Sequence, residues 1–157
     1  MRLMPVLAAL LPLLPLPALA TPQITPQTLQ VDRYADDGEP GSLRWAIETN
    51  NENPGRYQID IAAVGQPPYV IKPNRALPEI KGPVRITGLS WARDGQYIAI
   101  DGSGYIKDQG VRTCPGALPG QFGTNGRTTT HPGLVLRDTQ GEQISGLVVG
   151  NFCIGLL

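Results

Sequence analysis

Short segments in which apolar and polar residues alternate fill most of the chain after Gly55, and no other feature constrains its fold as strongly. YQIDIA sets Tyr57, Ile59 and Ile61 on one face and Gln58 and Asp60 on the other, the period-two signature of a strand with one buried side. PYVIKP, LPEI, VRITGL, QYIAIDG, GLVL, QISGLVV and CIGLL follow, each bounded by Gly, Pro, Asn or Asp. Such punctuated runs read as strands. With no helical pattern between them, they predict an all-β domain, which leaves a sandwich, a barrel or a β-solenoid.

One helix precedes the strands. In SLRWAIETNN, Ser42 is placed to cap the N-terminus, and Leu43, Ala46 and Ile47 recur at i, i+3 and i+4, which predicts a helix over about 42–51. Asn50, Asn51, Pro54 and Gly55 stop it. A helix that short is marginal alone, so its apolar face needs a surface to cover.

A partial internal repeat bears on the choice of architecture. Ile86-Thr87-Gly88-Leu89 returns as Ile144-Ser145-Gly146-Leu147, which fits two coils of a solenoid separated by an insertion. The region at about 102–132 supplies the insertion, because Gly and Pro are too dense there for a regular strand.

The ends carry different information. MRLMPVLAALLPLLPLPALA joins Arg2 to a Leu/Pro/Ala stretch and closes on Ala18-Leu19-Ala20, the pattern of a secretory signal peptide over residues 1–20. Its four prolines and short apolar stretch argue against a spanning helix of ~20 residues. Residues 21–30 read as an extended leader, TLQV at Thr28 to Val31 alternates enough to be a short first strand, and 31–157 reads as one domain. The expected location is secreted, periplasmic or cell-surface, with no membrane span once the signal is removed. Lysine and arginine total 13 and aspartate and glutamate 13, spread without a patch, which excludes nucleic acid or anionic lipid as the evident partner. The two cysteines, Cys114 and Cys153, are expected to form a disulfide in an oxidising compartment.

Candidate chemistry is sparse. Asp94, Asp101 and Asp108 lie in turn-like stretches, and nothing fixes the separation of about 5 to 9.5 Å that paired glycosidase carboxylates need. Asp36-Asp37 lacks the ligand spacing of a calcium loop. His131 has no nucleophile paired with it by any motif, and as the single histidine, without a CxxC, it gives no zinc site. Gly102-Ser103-Gly104 reads as a turn, Trp45 as packing for the helix, and Trp91 as an alternative stacking surface. No catalytic residue, metal ligand or cofactor site is assigned.

Asp37-Gly38, Gly41-Ser42-Leu43-Arg44-Trp45-Ala46-Ile47, Asn50 and Pro54-Gly55 before the Ile59/Ile61 strand resemble the entry segment of secreted bacterial right-handed parallel β-helix proteins, pectate-lyase-like or of the adhesin and outer-membrane type. LPEIKGPVRITG, YIAIDGSG, GLVL and QISGLVVGNF resemble the first coils after such a cap. The likeness runs from about Val31 to the C-terminus; this chain has Gly41 where many members carry Cys. It implies a right-handed parallel β-helix of few coils with a short N-terminal capping helix. The function it implies is a non-catalytic secreted segment for adhesion or polysaccharide contact, or alternatively the N-terminal fragment of a polysaccharide lyase or hydrolase. The expected partner is a polysaccharide or cell-surface polymer. The final coil, QISGLVVGNFCIGLL, carries no polar cap, so the expectation is either truncation at the C-terminus or self-association through an open coil.

Overall fold

The computed structural model describes residues 25–106, 114, 131–137 and 139–157. The segment expected to be a signal peptide, the first residues of the expected leader and most of the expected insertion, Asp108 included, lie outside the described residues.

The opening strand, β1 (Gln27–Val31), begins inside the expected leader. Leu29 and Val31 turn inward, at 8% and 0% exposure, so this part of the chain belongs to the core. After it comes α1 (Leu43–Glu52). Ser42 holds an extended backbone and its hydroxyl accepts from the Trp45 N–H at 3.3 Å, satisfying one of the free donors of the first turn. Leu43, Ala46 and Ile47 face the core. Asn51 stays in the helix instead of ending it. Its side chain accepts from the Lys81 N–H at 2.9 Å and donates to the Glu79 carbonyl at 2.6 Å, clamping the helix to the neighbouring strand. Asn53 and the left-handed Gly55 (φ 82°) turn the chain out.

The strands that follow are β2 (Tyr57–Ile61), β3 (Tyr69–Ile71), β4 (Ile80–Lys81), β5 (Arg85–Gly88), β6 (Ile98–Asp101), β7 (Pro132–Leu134), β8 (Leu136–Arg137), β9 (Gln143–Ser145), β10 (Leu147–Gly150) and β11 (Ile154–Leu156). All the pairings among them are parallel. They form four sheets, ordered β1-β2-β5-β9, β10-β6-β3, β11-β7 and β4-β8. Register aligns inward side chains in rows, Leu29 beside Ile59 beside Ile86 beside Ile144 in the first sheet and Ile71 beside Ile100 beside Val149 in the second. Ile59, Ile86 and Ile100 have no exposed surface, and burying each such side chain contributes about 1.5–3 kcal/mol. The two similar tetrapeptides lie against each other, since Ile86 pairs with Ile144 and Thr87 with Ser145.

The expected all-β, right-handed parallel β-helix solenoid is corrected here. Gln58 pairs with Arg85, but Arg85 pairs with Gln143, more than twice as far along the chain, so the spacing between paired strands is uneven. The strands are short and divided among separate sheets, and helices stand between them. One of these, α2 (Ser90–Asp94), has no side-chain cap and ends on the left-handed Gly95. A single turn of helix leaves too short a periodic pattern to be read from SWARD alone.

Candidate functional site

The end of the sheet β10-β6-β3 collects the polar groups of most chemical interest. Asp101 is the last residue of the central strand, β6, and its Cα partner on β10 is Gly150. On the other side Ile71 pairs with Ile100, so Lys72, the next residue, comes up beside Asp101. The Lys72 Nζ is 3.7 Å from Asp101 Oδ2. Asn151, just beyond β10, donates from its side-chain amide to Asp101 Oδ1 at 2.8 Å. Three adjacent parallel strands thus bring Lys72, Asp101 and Asn151 together at their carboxyl ends.

Local structure explains the placement. Asp101 caps the 3-10 turn Gly102–Gly104, its Oδ1 accepting from the Ser103 N–H at 2.9 Å. A side chain at Gly102 would run into the Asn151 carbonyl and the Phe152 ring, so the turn and the Asn151 bend fit only with glycine there. Burial pushes the Asp101 carboxyl up, but the hydrogen bonds from Ser103 and Asn151 and the charge of Lys72 outweigh it and hold that carboxyl below its ordinary value. Asp101 is a persistent anion and a weak base.

An aromatic wall continues from this point. Tyr105 lies 5.9 Å from Phe152 and 5.8 Å from His131 between ring centroids, and its hydroxyl donates to the Pro132 carbonyl at 2.9 Å. Burial pushes the Tyr105 hydroxyl up. The His131 carbonyl accepts from the Cys153 N–H at 3.2 Å, while its Nδ1 is enclosed without a hydrogen-bond partner among the described residues. Cys153 is joined to Cys114 in a disulfide with Cα atoms 5.1 Å apart. His131 (φ 49°) and Asn151 (φ 58°) are the non-glycine residues with positive φ among those described.

The other sequence candidates scatter. Asp94 accepts from the Tyr69 hydroxyl at 2.5 Å; that bond holds the Asp94 carboxyl below its ordinary value and pushes the Tyr69 hydroxyl up. Arg93 joins the same cluster and donates to the Ala63 and Gly65 carbonyls, so Asp94 serves to tie down the segment before β3. Asp36 pairs with Arg44 and Asp37 with Arg33. Trp45 packs against the core. Trp91, 54% exposed, stacks on Tyr97 at 4.7 Å beside a cavity of about 400 Å³ floored by Gly88 and Gly146. A larger cavity of about 690 Å³ lies by Glu52, Pro54 and Arg56; neither includes Asp101. Among the described residues no three His, Cys, Asp or Glu side chains are grouped to hold a metal, and no helix is long and apolar enough to cross a membrane. Sequence reasoning passed over Lys72 and Asn151 as site residues. Their signal was present only in the register, which aligns the ends of three strands far apart in the chain.

No family model matches the chain. A curated relative, the 3-dehydroshikimate dehydratase of Acinetobacter baylyi (strain ATCC 33305 / BD413 / ADP1), is 58% identical over 132 residues, 83% of this chain and 27% of that protein. The chain therefore spans about a quarter of the length of the curated relative it matches. This similarity corrects the resemblance drawn from the GSLRWAI segment to pectate-lyase-like and adhesin-type proteins. It also corrects the non-catalytic adhesion and polysaccharide-contact reading, because the matched protein is named as a dehydratase. The alternative, a piece of an enzyme, agrees better in kind, though not as a polysaccharide lyase or hydrolase. A capped helix laid on a strand is a local packing solution, and local packing does not specify chemistry.

Proposed function

We propose that this chain forms part of an enzyme that removes water from 3-dehydroshikimate. The observation that carries the reading is the 58% identity to a protein named for that activity, sustained over 83% of this chain. Eliminating water requires one group to take a proton from carbon and another to protonate the departing hydroxyl oxygen, while the electron pair of the broken C–H bond forms the new double bond. The Asp101 cluster offers a fixed anion and an ammonium. The signal-like pattern of residues 1–20 supports export as part of the same reading.

A chimera tests it. The stretch of the Acinetobacter protein that aligns with this chain is replaced by the sequence of this chain, and loss of 3-dehydroshikimate is followed spectroscopically. Activity within about tenfold of the parent enzyme is expected, a barrier difference near 1.4 kcal/mol. A chimera that folds cooperatively and has no dehydratase activity overturns the reading.

A further inference from the structure

We propose that the carboxyl ends of β3, β6 and β10 form a binding subsite for a small carboxylate with neighbouring hydroxyl groups, Lys72 receiving the carboxylate and Asp101 and Asn151 the hydroxyls. The inference rests on the dehydratase reading and assigns the substrate class to named residues.

The charges are complementary. Lys72 is 59% exposed and, among the described residues, its ammonium makes one long contact, 3.7 Å, to Asp101, so it has protons left for an incoming anion. Asp101 is 17% exposed and its Oδ1 is already occupied by Ser103 and Asn151. Its Oδ2 lies 3.7 Å from the Lys72 ammonium, and an ionised carboxylate has about four acceptor positions, which leaves room for a hydroxyl donor. Asn151 uses its amide N–H on Asp101 and retains its carbonyl oxygen for a second hydroxyl.

Aromatic rings lie close by. Tyr105 lies against both Phe152 and His131, and the Phe152 ring, next in the chain to Asn151, packs close to Gly102, so aromatic side chains stand near the polar groups. Asn151 and His131 both hold left-handed backbone, and backbone of that kind in non-glycine residues gathers where a side chain must be aimed. Register, hydrogen bonds and the glycine at position 102 hold the Asp101–Asn151 pair in place without a ligand.

The test is calorimetric titration of the whole chain with 3-dehydroshikimate, and with cyclohexanecarboxylate as a probe of equal charge lacking hydroxyls. Saturable binding of 3-dehydroshikimate is expected, with cyclohexanecarboxylate weaker. Lys72→Ala should weaken 3-dehydroshikimate by about tenfold or more, as loss of a charged hydrogen-bond partner does, and Lys72→Arg should recover much of it. Asp101→Asn should reduce the advantage of 3-dehydroshikimate over the plain acid. Lys72 is exposed, so its alanine variant should unfold at the parent temperature, and this is checked alongside. Absence of saturable binding, or a folded Lys72→Ala chain binding within about twofold of the parent, overturns the subsite. An active chimera with no effect at Lys72 leaves the dehydratase reading standing without this subsite; an inactive folded chimera removes that reading itself.

Discussion

Arg44 and Asp36 form a two-pronged ion pair inside the protein, Nε to Oδ1 at 2.8 Å and Nη2 to Oδ2 at 2.9 Å, with the side chains 4% and 2% exposed. Two further guanidinium N–H groups donate to the Arg75 and Ala76 carbonyls, and Asp36 also accepts from the Asn74 N–H. One residue of α1 therefore fastens the loop before the helix to the loop between β3 and β4. Removing either partner strands a charge. Asp36→Ala and Arg44→Ala should each destabilise by about 3–5 kcal/mol. Replacing both with apolar residues of similar volume should cost much less than the sum. Urea unfolding of the two single variants and the double variant checks this, and a loss in the double variant equal to the sum of the two single losses would contradict it.

Gly88 and Gly146 touch through their backbones where the two similar tetrapeptides stack. A Cβ added to Gly88 would meet the Gly146 carbonyl, and one added to Gly146 the Gly88 carbonyl. Gly146 also has φ 69°, which disfavours any side chain. Because the obstacle is backbone and cannot swing aside, Gly88→Ala should destabilise by about 1–3 kcal/mol, the range for overpacking. Gly95→Ala, with open space around it but φ 71°, should lose less. Thermal unfolding of the two variants separates steric contact from backbone conformation.

The residues that were legible in the sequence share one trait, a local pattern. The alternation in YQIDIA became β2, and Ser42 with Leu43, Ala46 and Ile47 became a capped helix. The architecture was not legible, because coil spacing depends on which segments pair, and Arg85 reaches past a long excursion to Gln143. Arg44 stood in the motif that suggested the family resemblance, yet its meaning lay in partners at positions 36, 75 and 76. Likewise Asp101 looked like one turn aspartate among three, and its local role as the cap of the Gly102–Gly104 turn agrees with that. What distinguishes it, Lys72 and Asn151 on flanking strands, arises from long-range pairing that no short window contains.

The disulfide links the last turn of the chain to Cys114, 39 residues earlier. Tying a loop of that length restricts the unfolded chain and contributes about 3 to 4 kcal/mol when the native geometry is unstrained. Cys114→Ala with Cys153→Ala should lower stability by about that amount. Because the Cys153 N–H bonds the His131 carbonyl, the double variant should also perturb the environment of His131. A thiol assay on denatured, unreduced parent protein checks the bond itself, two reactive thiols per chain being the contrary result; urea unfolding of the double variant then reads the stability loss, and the His131 imidazole NMR signals read the change around that residue.

Acid sensitivity should centre on carboxylates that the fold holds below their ordinary values. Glu79 is lowered chiefly by Arg137, Asp94 by the Tyr69 hydroxyl, and Asp101 by Ser103, Asn151 and Lys72 against the opposing effect of its burial. A carboxyl whose folded value is depressed binds its proton more readily when unfolded. Its contribution is therefore complete above the unfolded value and is lost as pH falls through the folded one. Stability should accordingly be flat near neutrality and decline below about pH 5. Asp101→Asn removes one of the three groups, so the variant should start less stable at pH 7 and lose less between about pH 5 and pH 3 than the parent. Urea midpoints measured at pH 7, 5 and 3 decide it: parallel declines in the two proteins would mean that Asp101 carries none of the acid response.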